Sequence, residues 1–324
     1  MLNSRPRVLC THRIPEAGLK ILEKSMQVTI LDENLPIKAQ LQELLPLTNF
    51  LITLLSVEIS ESLMCLAPSL KGIANYAVGY NNIDIVAARK RNILVTNTPD
   101  VLTNATADLV WGLILAVTRR IIEGDKICRD NIFPGWLPKF LLGFEITGKT
   151  LGVIGLGRIG AAVAKRAVGF DMQILYHSRT RKRDIEQKYG LIFRKSLEEV
   201  LKESDIISLN IPYTQETHHL ISKRELSLMK SSAYLINTAR GRVVNEKDLI
   251  DALKTKVIAG AGLDVFYNEP SIPSELSELQ NVVLTPHIGS ATTQTRDAMA
   301  RMVADNILAM NEGNQPPNLI PEML

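Results

Sequence analysis

The sequence predicts an α/β protein with two parallel sheets. Three observations carry that expectation. The chain has 324 residues, more than a single core usually holds. Short apolar runs alternate with helical patterns, and the alternation restarts near Thr150. A strand–helix–strand rhythm of this kind means a parallel sheet covered by helices on both faces.

The first series reads as a strand at Arg7–Cys10, a helix at Glu16–Lys24, a strand at Val28–Leu31, a helix at Ile37–Leu45 and a strand at Phe50–Thr53. Further strands fall at Ile73–Ala77 and Ile93–Thr96. The pattern then predicts one long helix from Asn104 to about Glu123, with Thr103 and Asp108 in its start region. Gly112 weakens that helix slightly, while its apolar content points to burial. The second series places strands at Thr150–Ile154, Gln173–Tyr176, Asp205–Leu209, Ala233–Ile236, Ile258–Leu263 and Val282–Thr285. A last helix over Thr292–Met310 stops before Gly313 and the Pro316-Pro317 pair.

Composition narrows the class. Hydrophobic residues at 46% and charged residues at 22% are an ordinary globular balance. A formal net charge of +3 argues against both a nucleic-acid binder and a membrane-surface protein. Cys10, Cys65 and Cys128 form no CxxC pair and have no His at zinc spacing, so they read as reduced thiols of a cytoplasmic protein without a metal. The stretch Met1–Cys10 has no apolar run of the signal-peptide type. The longest apolar stretch of helical length, Leu109–Val117, is far short of the ~20 residues of a membrane span.

The clearest motif is Gly155-Leu156-Gly157-Arg158-Ile159-Gly160, between the apolar run Leu151–Ile154 and the helical pattern Ala161–Val168. Strand, glycine turn and helix in that order are what a dinucleotide-binding turn requires. Gly155 permits the tight turn, Gly157 lets the backbone approach a pyrophosphate, and Gly160 lets helix and strand pack closely. The helix N-terminus then offers N–H groups and partial positive charge to the phosphates. An NAD-selective site places Asp or Glu at the end of the next strand, about twenty residues on. Here that end reads Tyr176-His177-Ser178-Arg179-Thr180-Arg181-Lys182, with no acid. Hydroxyls and cations suit a 2′-phosphate, so NADPH is the expected cofactor, with NADH also possible. The same residues also read as a solvated basic loop.

Three reactive side chains follow apolar runs, where ligands of open parallel sheets bind. Arg240 follows Ala233–Ala239, Glu269 follows Gly262–Phe266, and His287 follows Val282–Pro286. Reduction of a keto acid needs a hydride, a proton and a clamp for negative charge. A nicotinamide supplies the hydride. A His suits the proton, since its unperturbed pKa of about 6.5 lies near working pH. A neighbouring carboxylate steadies the imidazolium, and an Arg holds carboxylate and keto oxygen. Each residue alone also reads as an ordinary loop or surface group, and spacing does not show that the three meet.

Four segments together resemble the D-isomer-specific 2-hydroxyacid dehydrogenases: the glycine turn, Asn237-Thr238-Ala239-Arg240-Gly241, Gly262–Phe266 with Glu269-Pro270, and Thr285-Pro286-His287-Ile288-Gly289-Ser290. Their order and spacing match over nearly the whole chain. The resemblance implies that Arg240, Glu269 and His287 are the catalytic set. It implies cofactor contacts at Thr106, at Gly155 to Gly160, at Ser178, Arg179 and Thr180, at Thr238 and Ala239, and at Asp264 and Gly289. Within the family, Ala74–Asp84 and Val95–Asp100 are most similar to glyoxylate/hydroxypyruvate reductases. That implies substrate contacts at Leu54, at the N–H groups of Val78 and Gly79, and at Arg240 and Ser290. Trp136 is implied at a neighbouring subunit's active site, and reads equally as a buried dimer contact.

The family further implies a homodimer and a discontinuous layout. A flavodoxin-like substrate domain would comprise residues 1–101 and 290–324, and a Rossmann-type dinucleotide-binding domain residues 102–289. The expected activity is NADPH-dependent reduction of glyoxylate, hydroxypyruvate or both to the D-2-hydroxy acid. D-lactate or another D-2-hydroxyacid dehydrogenase is the alternative in the family, since a hydrophobic pocket yields only ~1–3 kcal/mol per methylene. A dinucleotide-sensing binding protein is the alternative outside it, and would be expected to lack the Arg, Glu and His.

Overall fold

The structure, a computed structural model, describes residues 5–324. Residues 1–4, the beginning of the stretch read above for a signal peptide, lie outside it. The chain divides into two compact units. One extends to Leu102 and resumes over Ala291–Leu324; the other is Thr103–Ser290.

The first unit carries β1 (Arg7–Cys10), β2 (Gln27–Ile30), β3 (Phe50–Thr53), β4 (Gly72–Asn75) and β5 (Leu94–Thr96). They form a parallel sheet in the order β2-β1-β3-β4-β5, the flavodoxin-like order. Alternate residues serve opposite faces. Val8, Cys10, Phe50 and Ile52 pack with Leu19, Leu22, Met299 and Val303. Leu9, Leu51, Ile73 and Val95 pack with Leu41, Leu63 and Met64. Burial on both faces explains why these strands read as continuous apolar runs. The chain returns to this unit because helix Thr293–Asn311 covers the first of those faces. Helix Glu16–Leu22 lies against it so closely that a Cβ on Gly18 would sit 2.3 Å from the Ala300 carbonyl oxygen.

The second unit carries β6 (Thr150–Ile154), β7 (Gln173–His177), β8 (Ile192–Phe193), β9 (Ile206–Leu209), β10 (Tyr234–Asn237), β11 (Gly260–Leu263) and β12 (Val282–Leu284). Their order is β12-β11-β10-β9-β6-β7-β8, all parallel. This is the Rossmann order with one added strand, and its direction reverses between β6 and β9.

Two expectations need correction. The single helix over Asn104–Glu123 is two helices, Thr103–Thr118 and Ile121–Arg129, broken at Arg120 with φ +54°. The first buries Val110, Trp111, Leu113, Ile114 and Val117, whereas the second buries nothing. The Thr118 carbonyl leaves the helical ladder to accept the Phe144 N–H at 2.7 Å. The short edge strand β8 was not among the expected strands; two residues are too few to show periodicity. Among the described residues no helix is long and apolar enough to cross a membrane.

Candidate active site

The reactive groups of the second unit sit at the carboxyl ends of its strands. After β6, Gly155 adopts φ +90°, and a Cβ there would lie 2.6 Å from the Asn210 carbonyl oxygen. A Cβ on Gly160 would lie 2.1 Å from the Gly155 carbonyl oxygen. These two glycines are required by the chain itself. Gly157 is different, because a Cβ there would meet nothing within 4 Å. Its bareness leaves open backbone, as a pyrophosphate needs. Helix Arg158–Ala167 begins at Gly157 with no side-chain cap, so its first N–H groups remain for an anion. Leu156 is buried and Ile159 half-buried in the unit's core. These residues fit a dinucleotide.

The turn after β7 is shaped by a buried phenol. Tyr176 donates its hydroxyl to Glu186 and accepts the Lys182 N–H at 2.9 Å. Burial, then the bond to Glu186, pushes the phenol up to about 12. Arg181 grips the same carboxylate through Nε and Nη2, the latter at 2.8 Å. That grip and the phenol hold Glu186 down to about 2. Arg181 is therefore committed within the protein. Arg179 and Thr180 are exposed, and the Ser178 hydroxyl donates to the Thr180 carbonyl at 2.6 Å.

After β10, buried Asn237 braces the turn that carries Thr238, Ala239 and Arg240. Its Nδ2 donates to the Arg240 carbonyl at 3.0 Å, and its Oδ1 accepts the Ala239 N–H at 3.0 Å. Burial pulls the Arg240 guanidinium below its ordinary value and the Glu269 carboxylate opposes that pull. It stays protonated, as guanidinium groups in proteins do.

After β11 and β12 come the other two members. His287 Nδ1 lies 2.7 Å from Glu269 Oε2, and Glu269 Oε1 accepts the Phe266 N–H at 3.0 Å. Burial works to raise the Glu269 carboxyl. The His287 hydrogen bond and charge, the Phe266 N–H and the Arg240 charge outweigh it and hold the group below its ordinary range. Glu269 is thus the ionised partner of His287, within electrostatic reach of Arg240.

His287 itself stands at φ +53°, in a loop held by Asp264. Asp264 Oδ1 accepts the Thr285 hydroxyl at 2.6 Å and the Ile288 N–H at 2.8 Å, and Oδ2 accepts the Gly289 N–H at 2.8 Å. Burial raises this carboxyl above its ordinary value despite those bonds and the nearby His287. Thr106 adds a hydroxyl bond to the Gly289 carbonyl at 3.1 Å. Asp264 and Thr106 therefore support the His287 loop, a task sequence reasoning missed. An acid after an apolar run signals little about what it accepts.

The remaining expected residues are more dispersed. Ser290 ends the second unit. Leu54, Val78 and Gly79 belong to the first unit, and all three carbonyls accept asparagine side-chain amides. Trp136 is 84% exposed, and Phe133, Leu137 and Leu142 of the same stretch of chain are exposed too.

Residues 111–289 match the family model described as the NAD binding domain of D-isomer specific 2-hydroxyacid dehydrogenases. The chain belongs to that family. The dehydrogenase is an NAD(P)-dependent oxidoreductase acting on CH–OH groups. It is 50% identical to the glyoxylate reductase of Pyrococcus furiosus over 321 residues, 98% of this chain and 95% of that one. It is 51% identical to the glyoxylate reductase of Thermococcus litoralis, covering 98% and 97%. Among solved structures it resembles the TT0316 protein of Thermus thermophilus, with TM-score 0.91 at 45% identity over 97% of this chain and 99% of the other. It also resembles an NADPH-dependent glyoxylate/hydroxypyruvate reductase from Sinorhizobium meliloti, determined with NADP and malonate. There the TM-score is 0.87 at 34% identity, over 99% and 98%.

Proposed function

We propose that the dehydrogenase reduces glyoxylate, hydroxypyruvate or both to the D-2-hydroxy acid, with NADPH preferred over NADH. The observation that carries the chemistry is the 2.7 Å His287–Glu269 pair within electrostatic reach of half-buried Arg240. The bound nicotinamide supplies the hydride. Glu269 engages Nδ1, which leaves Nε2 of the imidazolium to give its proton to the oxygen as negative charge builds there. The imidazole left behind keeps its Nδ1 proton toward Glu269. Arg240 polarises the keto oxygen and binds the carboxylate. The N–H groups of Val78 and Gly79 are donors suited to a substrate carboxylate.

NADPH preference rests on exposed Arg179 with Ser178 and Thr180, and on the lack of an acid at the end of β7. The NADPH-dependent reductase from Sinorhizobium meliloti, determined with NADP, supports the same reading. We assign the dinucleotide to the unit Thr103–Ser290. The stretch that holds exposed Phe133, Trp136, Leu137 and Leu142 offers apolar side chains to a second subunit, and three free thiols suit a cytoplasmic protein.

Initial rates with glyoxylate, hydroxypyruvate and pyruvate, each with NADPH and with NADH, test the proposal. Fast NADPH oxidation with either of the first two supports it. A clear preference for pyruvate would move the protein to a D-lactate activity, and faster rates with NADH would overturn the cofactor preference.

A further inference from the structure

The first unit contains a turn whose peptide planes are pinned one after another. In a trans peptide, the carbonyl of one residue and the N–H of the next share a plane and point in opposite directions. The Ala77 carbonyl accepts the Thr98 N–H at 2.9 Å, which orients the Val78 N–H. The Val78 carbonyl accepts Asn97 Nδ2 at 2.7 Å, which orients the Gly79 N–H. The Gly79 carbonyl accepts Asn75 Nδ2 at 2.6 Å. No described residue accepts from the N–H of Val78 or Gly79, and both residues are half-exposed.

The clamps are themselves anchored. Asn75 is fully buried at the end of β4. Its Oδ1 lies 3.4 Å from Asn82 Nδ2, which also donates to the Leu54 and Val57 carbonyls at 3.0 and 3.1 Å. Asn97 follows β5, and its N–H donates to the Asn318 carbonyl at 3.3 Å. Glycine, with its wide backbone freedom, occupies position 79, so the direction of its N–H depends on such outside contacts.

We propose that Asn97 is a positioning residue for the substrate carboxylate: it holds the Val78–Gly79 peptide so that the Gly79 N–H is set beside the Val78 N–H, which the Thr98–Ala77 bond orients, before the anion arrives, while Asn75 fixes the plane that follows Gly79. This rests on the reading that those N–H groups take the carboxylate. Preorganised donors bind an anion without the entropy cost of first ordering the loop. Asparagine suits the task because it donates to the carbonyl and carries no charge to compete with the ligand.

The test compares wild-type enzyme with Asn97→Ala and Asn97→Asp. Alanine removes the donor, and aspartate sets a repelling oxygen against the Val78 carbonyl. The Michaelis constant for glyoxylate should rise about tenfold in Asn97→Ala, the scale of one lost hydrogen bond, and further in Asn97→Asp. Turnover at saturating glyoxylate and the Michaelis constant for NADPH should stay within about twofold, the pattern of lost ground-state binding. Unchanged glyoxylate constants would overturn the proposal. So would equal losses in turnover and NADPH binding, which mark general damage to the fold.

Oxalate titrated into the NADPH-loaded proteins reads the same clamp without turnover. Weaker oxalate binding in Asn97→Ala, which adds no charge, supports the clamp even if wild-type enzyme fails to reduce glyoxylate, in which case only the substrate assignment falls. Equal oxalate binding by both proteins would sink the clamp whatever the substrate.

Discussion

Two turns of the same sheet, one after β6 and one after β12, solve the placement of reactive groups in opposite ways. The β6 turn is made by leaving side chains out. Gly155 and Gly160 let backbone meet backbone, and Gly157 leaves open space. The β12 turn is made by putting one side chain in. The Asp264 carboxylate gathers the Thr285 hydroxyl and the Ile288 and Gly289 N–H groups, and His287 stands between them in sequence at φ +53°. A site for phosphates needs only N–H groups and room. A catalytic imidazole needs one fixed direction. A buried carboxylate is costly, and burial raises Asp264 accordingly. That cost accompanies a loop whose shape no glycine would set.

The comparison breaks first if the β12 loop does not place the catalytic group. Replacing His287 by alanine should lower turnover by about 10²–10⁴-fold, the scale of a lost general acid, while NADPH binding stays near wild type. Steady-state rates and cofactor titration check both halves. Near-normal turnover in folded protein would remove His287 from the mechanism.

Asp264→Ala attacks the support instead of the group. Three donors lose their acceptor, and the imidazole loses its bearing toward Glu269. Turnover should fall roughly 10²-fold, as for a misplaced catalytic group, and the thermal midpoint should drop, since each orphaned buried donor costs about 1–3 kcal/mol. Full activity with a lowered midpoint would make Asp264 purely structural and erase the contrast between the turns.

The β6 turn is sharpened by its own pair of variants. Gly157→Ala should leave the thermal midpoint unchanged, because its Cβ meets nothing within 4 Å. It should raise the Michaelis constant for NADPH roughly tenfold by obstructing a phosphate hydrogen bond. Gly155→Ala should do the reverse first, lowering the midpoint through its φ of +90° and its 2.6 Å contact. If both variants behave alike, the division of labour among the glycines is wrong.

The two turns also differ in how far the sequence discloses them. G-x-G-x-x-G between a strand and a helix is local, so its spacing carries its meaning. Arg240, Glu269 and His287 stand out by type and by position after apolar runs. Yet the contact between Glu269 and His287 spans two strand ends, and no periodicity encodes it. Asp264 looks like any acid after a strand, and Asn97 like any polar loop residue. The charge census after β7 also misleads, because Glu186, five residues after Arg181, engages one of its cations. The sheets were legible because buried parallel strands are apolar on both faces. The break at Arg120 was not, since the apolar pattern runs on through Ile121 and Ile122, which are 50% and 58% exposed.

The finest test of the β12 loop concerns charge and not position. Glu269→Gln keeps the shape of the partner while removing its negative charge, and amide and imidazole can still hydrogen-bond. Glu269 is held ionised below the ordinary carboxylate range by His287, Phe266 and Arg240, so in wild-type enzyme its full charge faces the ring near neutral pH. Reduction draws its proton from the imidazolium, and an adjacent negative charge stabilises that cation. Turnover at neutral pH should therefore fall about tenfold in Glu269→Gln, the scale of about 1.4 kcal/mol, while NADPH binding stays near wild type. Unchanged turnover in folded Glu269→Gln would show that Glu269 acts on His287 by orientation and not by charge.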